Sequence, residues 1–416
     1  MHKIEFSDDI KEILANRFND VDIYSLDLKS LKELREQVEN LREEYALIEN
    51  AYKVLSNAAY GASAANSFYF YNLALAGDIT GECRVLTQFM WNELEKFMKE
   101  DLWQRKDLWE KFDFALDESK HNWYREQPVS CYSDTDSVYV QFGDLFKAMT
   151  PEYQNKYESD EAKLDWVIKF SKEFLDKQNG EWLDKMYNPR HGENCHVFEL
   201  ETVSKSALYL KKKKYLKGVI FSKGKYYNKP KISGTGIEII KSTTPKICRK
   251  MLTELTEDLM FKSITMNKNE YIMYFNDLLA KKKKEFYAAS IDDISQSVGV
   301  GNYKKYVIDD VQNLVFEKKA PPSIKAIARY NYLAKKNGEA DKYVTGGKIK
   351  YYNIRVGDTI DYFGFPSGEC PDWAPPVDKT IQWQKNIIEP INRFLNVMEI
   401  PEVNAYGTIQ LDLFGM

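Results

Sequence analysis

No run of apolar residues in this sequence approaches the roughly 18 needed to cross a bilayer, which excludes a membrane-spanning helix from its reading. Cysteine is sparse: Cys83, Cys131, Cys195, Cys248 and Cys370 stand far apart and no CxxC pair occurs. That pattern argues against a structural zinc site. The opening residues Met1-His2-Lys3-Ile4-Glu5 do not read as a targeting segment, so a disulfide scaffold is not expected and a reducing cytoplasm is the expected setting. No internal repeat is present. A strong charge excess is lacking too, at a net −4, so total charge names no partner. The lysines are nevertheless bunched at Lys211 to Lys214 and Lys281 to Lys284, and a nucleic-acid face can sit on an acidic protein when basic residues cluster.

With 416 residues, the chain is long enough for two or three domains, and its 44% apolar content is that of a folded protein. The 14% aromatic content, with 28 Tyr and 8 Trp, reads first as packing. A long helix is predicted from about Asp27 to Tyr60, with Ser30 and Glu33 as a capping box and Leu31, Leu34, Val38, Leu41, Tyr45 and Ile48 as one apolar stripe. It should stop near Gly61. A second helix is expected over Leu75 to Met98, strands between Pro128 and Phe142, helix over 160 to 187, and strand-like alternation from Val197 to Val219. Gly234-Thr235-Gly236 looks like a joint, followed by Thr244-Pro245 as a helix start. Residues 245 to 400 read as mostly helical, with a Gly- and Pro-rich interruption at 338 to 376.

Three clusters carry chemistry. In Tyr132-Ser133-Asp134-Thr135-Asp136-Ser137-Val138-Tyr139, two carboxylates sit two apart at the tip of a predicted hairpin. Hard oxygen donors so placed suit Mg²⁺, although a bare DxD is ordinarily an Asp-rich turn. In Lys53-Val54-Leu55-Ser56-Asn57-Ala58-Ala59-Tyr60-Gly61, positions 53, 57 and 60 share one helical face. A cation, an amide and a phenol together can bind a triphosphate and sense a base pair, whereas alone they would read as an amphipathic helix with a snorkelling lysine. Lys212-Lys213-Lys214-Tyr215 lies on a predicted strand, eleven residues after Glu201, and by itself is a solvated face.

Taken jointly and in order, these segments resemble three motifs of family B DNA polymerases: (Y)xDTDS, KxxxNxxYG and KKxY. Two departures are visible, Ala58 where the family often has Ser and Lys214 where Arg is more common; the second loses a bidentate donor but keeps the charge. Lys231 to Gly234 with Ser242 to Lys246, and Pro321 to Leu333, are similar to the palm–thumb junction and thumb of T-even phage-like members. The ending Gln410-Leu411-Asp412-Leu413-Phe414 resembles clamp-binding peptides, the alternative being a frayed terminus.

The resemblance implies an α/β (α+β) right hand: helical fingers at 1–64, a palm with antiparallel sheet at 65–234, a mainly helical thumb at 235–408 and a clamp-binding tail at 409–416. It implies nucleotidyl transfer from dNTPs to a primer–template, with two Mg²⁺ ions. Asp136 would be the chief metal ligand with Asp134 auxiliary, and Glu201 the acidic residue near the metals. Lys53, Asn57 and Tyr60 would hold the nucleotide, Lys53 also protonating the leaving pyrophosphate. Gly61, Lys212, Lys213, Lys214 and Tyr215 would contact DNA, and Gln410, Leu411, Leu413 and Phe414 a sliding clamp.

The family's upstream DxxSLYPS motif has no match here; Tyr24-Ser25-Leu26-Asp27 is the nearest string. With 52 residues before Lys53, the chain reads as beginning inside the fingers. The expectation is a split enzyme, in the host cytoplasm if viral, whose partner chain brings the exonuclease and the first metal-binding Asp through a large obligate interface. A non-catalytic DNA- and clamp-tethering subunit of polymerase ancestry is the alternative. A nuclease built on the same carboxylates would need further acidic and His ligands.

Overall fold

The computed structural model describes residues 26–191, 194, 196–309, 312–339, 342–366, 368, 370–404 and 406–410. They divide into two compact units, one ending at Gln88 and one beginning at Phe89. No helix among the described residues is long and apolar enough to cross a membrane.

The first unit is helical. Helix α1 runs Leu28–Ser63, and its cap is Asp27 rather than the expected Ser30. The Asp27 carboxylate accepts the Ser30 N–H at 2.8 Å, which leaves Ser30 inside the first turn. That bond holds the Asp27 carboxyl below its ordinary value. The helix continues through Gly61, which carries no positive φ, and closes at Ala64. Of the expected apolar stripe, Leu41 is buried, while Tyr45 and Ile48 face solvent. Helix α2, Leu73–Lys96, follows a turn in which Phe68, Tyr69, Phe70 and Tyr71 are all exposed.

In the second unit, the end of α2 passes into an i→i+5 turn at Phe97–Asp101 and then the short helix Leu102–Gln104. Helix α3 (Asp160–Phe170) is capped by Ser159, whose hydroxyl accepts the Ala162 N–H; a second i→i+5 turn at Ser171–Leu175 leads into α4 (Asp176–His191). These helices enclose an aromatic core. Trp166 stacks on Phe170 at 4.8 Å, Phe112 meets Phe170 edge-on at 5.1 Å, and the Trp166 indole N–H donates to the Phe112 carbonyl.

Strands β1 (Ser130–Asp134) and β2 (Ser137–Val140) pair as an antiparallel hairpin. Strands β3 (Thr202–Lys211), β4 (Lys214–Ser222) and β5 (Lys225–Thr235) form an antiparallel sheet in that order.

Helices α5 (Lys246–Phe261), α6 (Lys268–Ala288) and α8 (Glu389–Val397) bury one core, with Leu252, Leu255, Phe275, Ile391 and Leu395 fully enclosed. Each such side chain stabilises the fold by about 1.5–3 kcal/mol. Helix α7 (Pro322–Lys336) packs on a second sheet of order β10-β9-β6, where β6 is Gln296–Val300, β9 is Gly347–Val356 and β10 is Thr359–Pro366. A two-stranded pair, β7 (Val307–Asp309) with β8 (Val315–Phe316), stands apart.

Two expectations are corrected here. The stretch 338–376 is not a break between helices: its alternating Ile349, Tyr352, Ile354, Phe363 and Phe365 build the β9–β10 hairpin and a core of their own with Ile324 and Ile327. Helix α5 starts at Lys246 with Pro245 at the cap, since the extended Pro245 backbone (ψ 144) cannot belong to the first turn.

Candidate functional site

The Asp-Thr-Asp turn is held from three sides. At its base, the Glu95 carboxylate accepts the N–H groups of Val129 and Ser130 at 3.0 and 2.6 Å, while its other oxygen pairs with Lys99 at 2.7 Å. This fixes the start of β1. At the tip, Asp134 faces Ser137 across the ladder and Thr135 takes a left-handed φ of 52°. The Asp136 N–H donates to the Asp134 carbonyl at 2.6 Å, and the Ser137 hydroxyl to the same oxygen at 3.0 Å. Both carboxylates therefore belong to one tight turn, Asp136 exposed and Asp134 half-covered.

The third side is the β3–β4 hairpin. Lys212 and Lys213 are not on a strand, as expected, but form the turn between β3 and β4, because Lys213 adopts φ 58°. The Lys213 N–H donates to the Tyr132 hydroxyl at 2.7 Å. Its ammonium lies 3.5 Å from Asp134 Oδ1 and remains 60% exposed, so it is open to a ligand as well. Lys214 and Tyr215 begin β4, with Tyr215 buried.

Four tyrosines weld the hairpins together. Tyr132 and Tyr139 are register partners on β1 and β2, as Tyr209 and Tyr215 are on β3 and β4. Tyr132 stacks on Tyr209 at 4.8 Å, and the Tyr139 and Tyr215 hydroxyls are 2.9 Å apart. Burial, then the Tyr215 hydroxyl, pushes the Tyr139 phenol above its ordinary value, and burial with Cys131 beside it does so for Tyr209. Both phenols are thus neutral near pH 7. Burial likewise raises the Cys131 thiol, so it is not a reactive thiolate.

Gly234 and Gly236 lie against this turn. A Cβ on Gly234 would come within 2.6 Å of the Tyr215 carbonyl; one on Gly236, at φ +65°, would strike the Lys213 carbonyl. The Gly-Thr-Gly joint is therefore a close approach of β5's end to the lysine turn.

Lys53, Asn57, Tyr60 and Gly61 lie on α1 in the first unit, all exposed, and Gly61 has open space where a Cβ would stand. Glu201 is not gathered with the Asp pair. It sits just before β3, its carbonyl accepting the Lys223 N–H, at the end of the hairpin opposite Lys213. At about 3.3 Å per residue, roughly 30 Å of strand separates it from the lysine turn. Among the described residues, no group of three or more His, Cys, Asp or Glu side chains is gathered around a metal position. Gln410 is exposed beyond Ile409, which exchanges backbone hydrogen bonds with the Asn276 amide at 2.7 and 3.0 Å; Leu411, Leu413 and Phe414 lie outside the described residues.

The donor set suits a hard divalent cation: two carboxylates on one turn, where Lys213 already brings positive charge. Sequence reading singled out neither Tyr209 nor Glu95. For Tyr209 the available signal was its strand position two residues before Lys211, directly across from Tyr215. For Glu95, 34 residues from its first partner, nothing local could have shown it.

An Asp-Thr-Asp hairpin locked to a lysine turn, in a chain whose residues 28–153 match the model for DNA polymerase family B, places the protein in that family. It is similar to the DNA-directed DNA polymerase of Escherichia phage RB69, 24% identical over 419 residues that cover 96% of this chain. The chain spans 41% of that relative's length.

Proposed function

We propose that this chain is the C-terminal catalytic part of a family B DNA-directed DNA polymerase, extending a primer on a template with dNTPs. The observation that carries this reading is the contact between the two turns: carboxylates Asp134 and Asp136 on one, the exposed ammonium of Lys213 on the other, 3.5 Å from Asp134. Mg²⁺ held by Asp134 and Asp136 would neutralise phosphate charge and activate the primer 3′ hydroxyl.

The chain's own residues do the rest. Lys53 and Asn57 bind the incoming triphosphate, Lys53 being placed to return a proton to the leaving pyrophosphate. Tyr60 packs beside the nascent base pair, and Gly61 leaves room for the template. Lys212, Lys213 and Lys214 grip the primer end with Tyr215 as their buried anchor, so DNA affinity falls steeply with salt. The remaining carboxylate of the metal site and the exonuclease come from residues outside this sequence, on a partner chain. The Gln410-Leu411-Asp412-Leu413-Phe414 ending binds a sliding clamp, and the enzyme works in the host cytoplasm.

One observation favours the tethering subunit instead: the absence of a third carboxylate beside Asp134 and Asp136 among the described residues. Primer extension with Mg²⁺ decides between them. The chain is assayed alone and with a candidate N-terminal chain, each beside Asp136→Ala. Activity only in the mixture and lost with D136A supports the split polymerase. DNA and clamp binding without extension in any mixture supports the tether.

A further inference from the structure

We infer that Tyr209, which lies in none of the three motifs, is the positioning residue that places Lys213 for its contact with DNA. This rests on the proposed polymerase reading and adds to it how the lysine turn is set.

The argument follows the atoms. Lys213 stands at φ 58°, a conformation a lysine adopts only when its surroundings impose it. One bond that does so is its N–H donation to the Tyr132 hydroxyl at 2.7 Å. A phenol directs its oxygen only as well as its ring is held. The Tyr132 ring lies nearly parallel to Tyr209, with centroids 4.8 Å apart and planes 22° apart. Its other aromatic neighbours, Tyr139 at 5.4 Å and Tyr215 at 5.3 Å, meet it edge-on or tilted and leave it free to slide across their faces. Tyr209 is therefore the plate that fixes the plane of the Tyr132 ring. It also holds Tyr139 edge-on at 5.8 Å, keeping the 2.9 Å Tyr139–Tyr215 hydroxyl contact closed, and its own hydroxyl meets the Cys131 sulfur at 3.9 Å. The chain of contacts runs from Tyr209 through Tyr132 to the Lys213 backbone, and so to an ammonium that is 60% exposed beside Asp134.

The test is DNA binding by the full chain, measured by fluorescence anisotropy on a labelled primer–template across a salt series, without any need for catalysis. Lys213→Ala is expected to lower the salt slope by about one. Tyr209→Leu should lower it by the same amount, and the double variant Y209L/K213A no further, because the same contact is lost once. Tyr209→Phe, which keeps the stacking plate, should retain the wild-type slope. If Y209L does not fold, Tyr132→Phe carries the test: it removes only the hydroxyl that accepts the Lys213 N–H and should likewise be non-additive with K213A. The inference is overturned if Y209L leaves the slope unchanged and lowers only the melting temperature, or if its loss adds to that of K213A. A K213A slope equal to wild type overturns it together with the primer-gripping reading of the turn, an outcome distinct from failure of Tyr209 alone.

Discussion

The Asp-Thr-Asp hairpin and helix α1 carry two motifs of one family, yet they are built in opposite ways. The hairpin is short and irregular, with its geometry imposed by partners distant in sequence: Glu95 at the base, Tyr209 and Lys213 at the tip. Helix α1 is long and regular and rests on local structure: its Asp27 cap and exposed i,i+4 pairs such as Arg35–Glu39. Such surface pairs contribute at most a few tenths of a kcal/mol each. The difference teaches that the carboxylate turn comes set by this chain, whereas the face bearing Lys53, Asn57 and Tyr60 has only its own helix to define it.

The comparison can be broken at several points. The largest effect is expected for Asp136→Ala in an active assembly: a drop in extension rate on the order of 10³-fold or more, several kcal/mol, with DNA affinity unchanged. Gly236→Ala comes next. It puts a Cβ into the Lys213 carbonyl at a positive φ and should cost about 3 kcal/mol in urea denaturation. Glu95→Ala leaves the Val129 and Ser130 N–H groups without their acceptor and should cost about 2 kcal/mol, loosening the hairpin in hydrogen exchange.

Glu238 gives a smaller, pH-dependent effect. Burial works against its charge, but hydrogen bonds from Arg393 and Lys241 prevail and hold its carboxyl below the ordinary value. The stability advantage over Glu238→Gln, about 1 kcal/mol, is fully present above the ordinary glutamate value near 4.3 and vanishes as pH falls through the depressed one. Denaturation midpoints of both proteins at pH 7 and below pH 4 check this. Smallest of all, Tyr69→Ser on the 92%-exposed ring should leave the chain's stability within about 0.5 kcal/mol while reducing its self-association in sedimentation.

These sites also mark what sequence could disclose. Helices were legible where an apolar period and a capping residue agree, as over Leu73–Lys96 and Asp160–Phe170. The DTD hairpin was legible because polar turn residues interrupt alternating strands. The β9–β10 hairpin was not: its Gly and Pro flanks hid strands whose partners include β6, some fifty residues earlier. The position of Glu201 was misjudged for a related reason. Spacing along a strand says how many residues intervene, not that an extended ladder carries them to the far end of a hairpin. Ring stacking between Tyr132 and Tyr209, 77 positions apart, has no local signature at all.

The i→i+5 turns at Phe97–Asp101, Ser171–Leu175 and Gln384–Ile388 bear on how this chain should be compared with its relatives. Such a turn takes up one additional residue within a helix and rotates everything after it by about 100°. A relative whose helix is regular at one of these places should therefore carry one residue fewer there while presenting the same face afterwards. An alignment that forbids gaps inside helices would shift Leu102 and Trp103, both buried here, onto the wrong partners. These three positions are where a single-residue deletion should be tolerated, as a record of insertion rather than of damage.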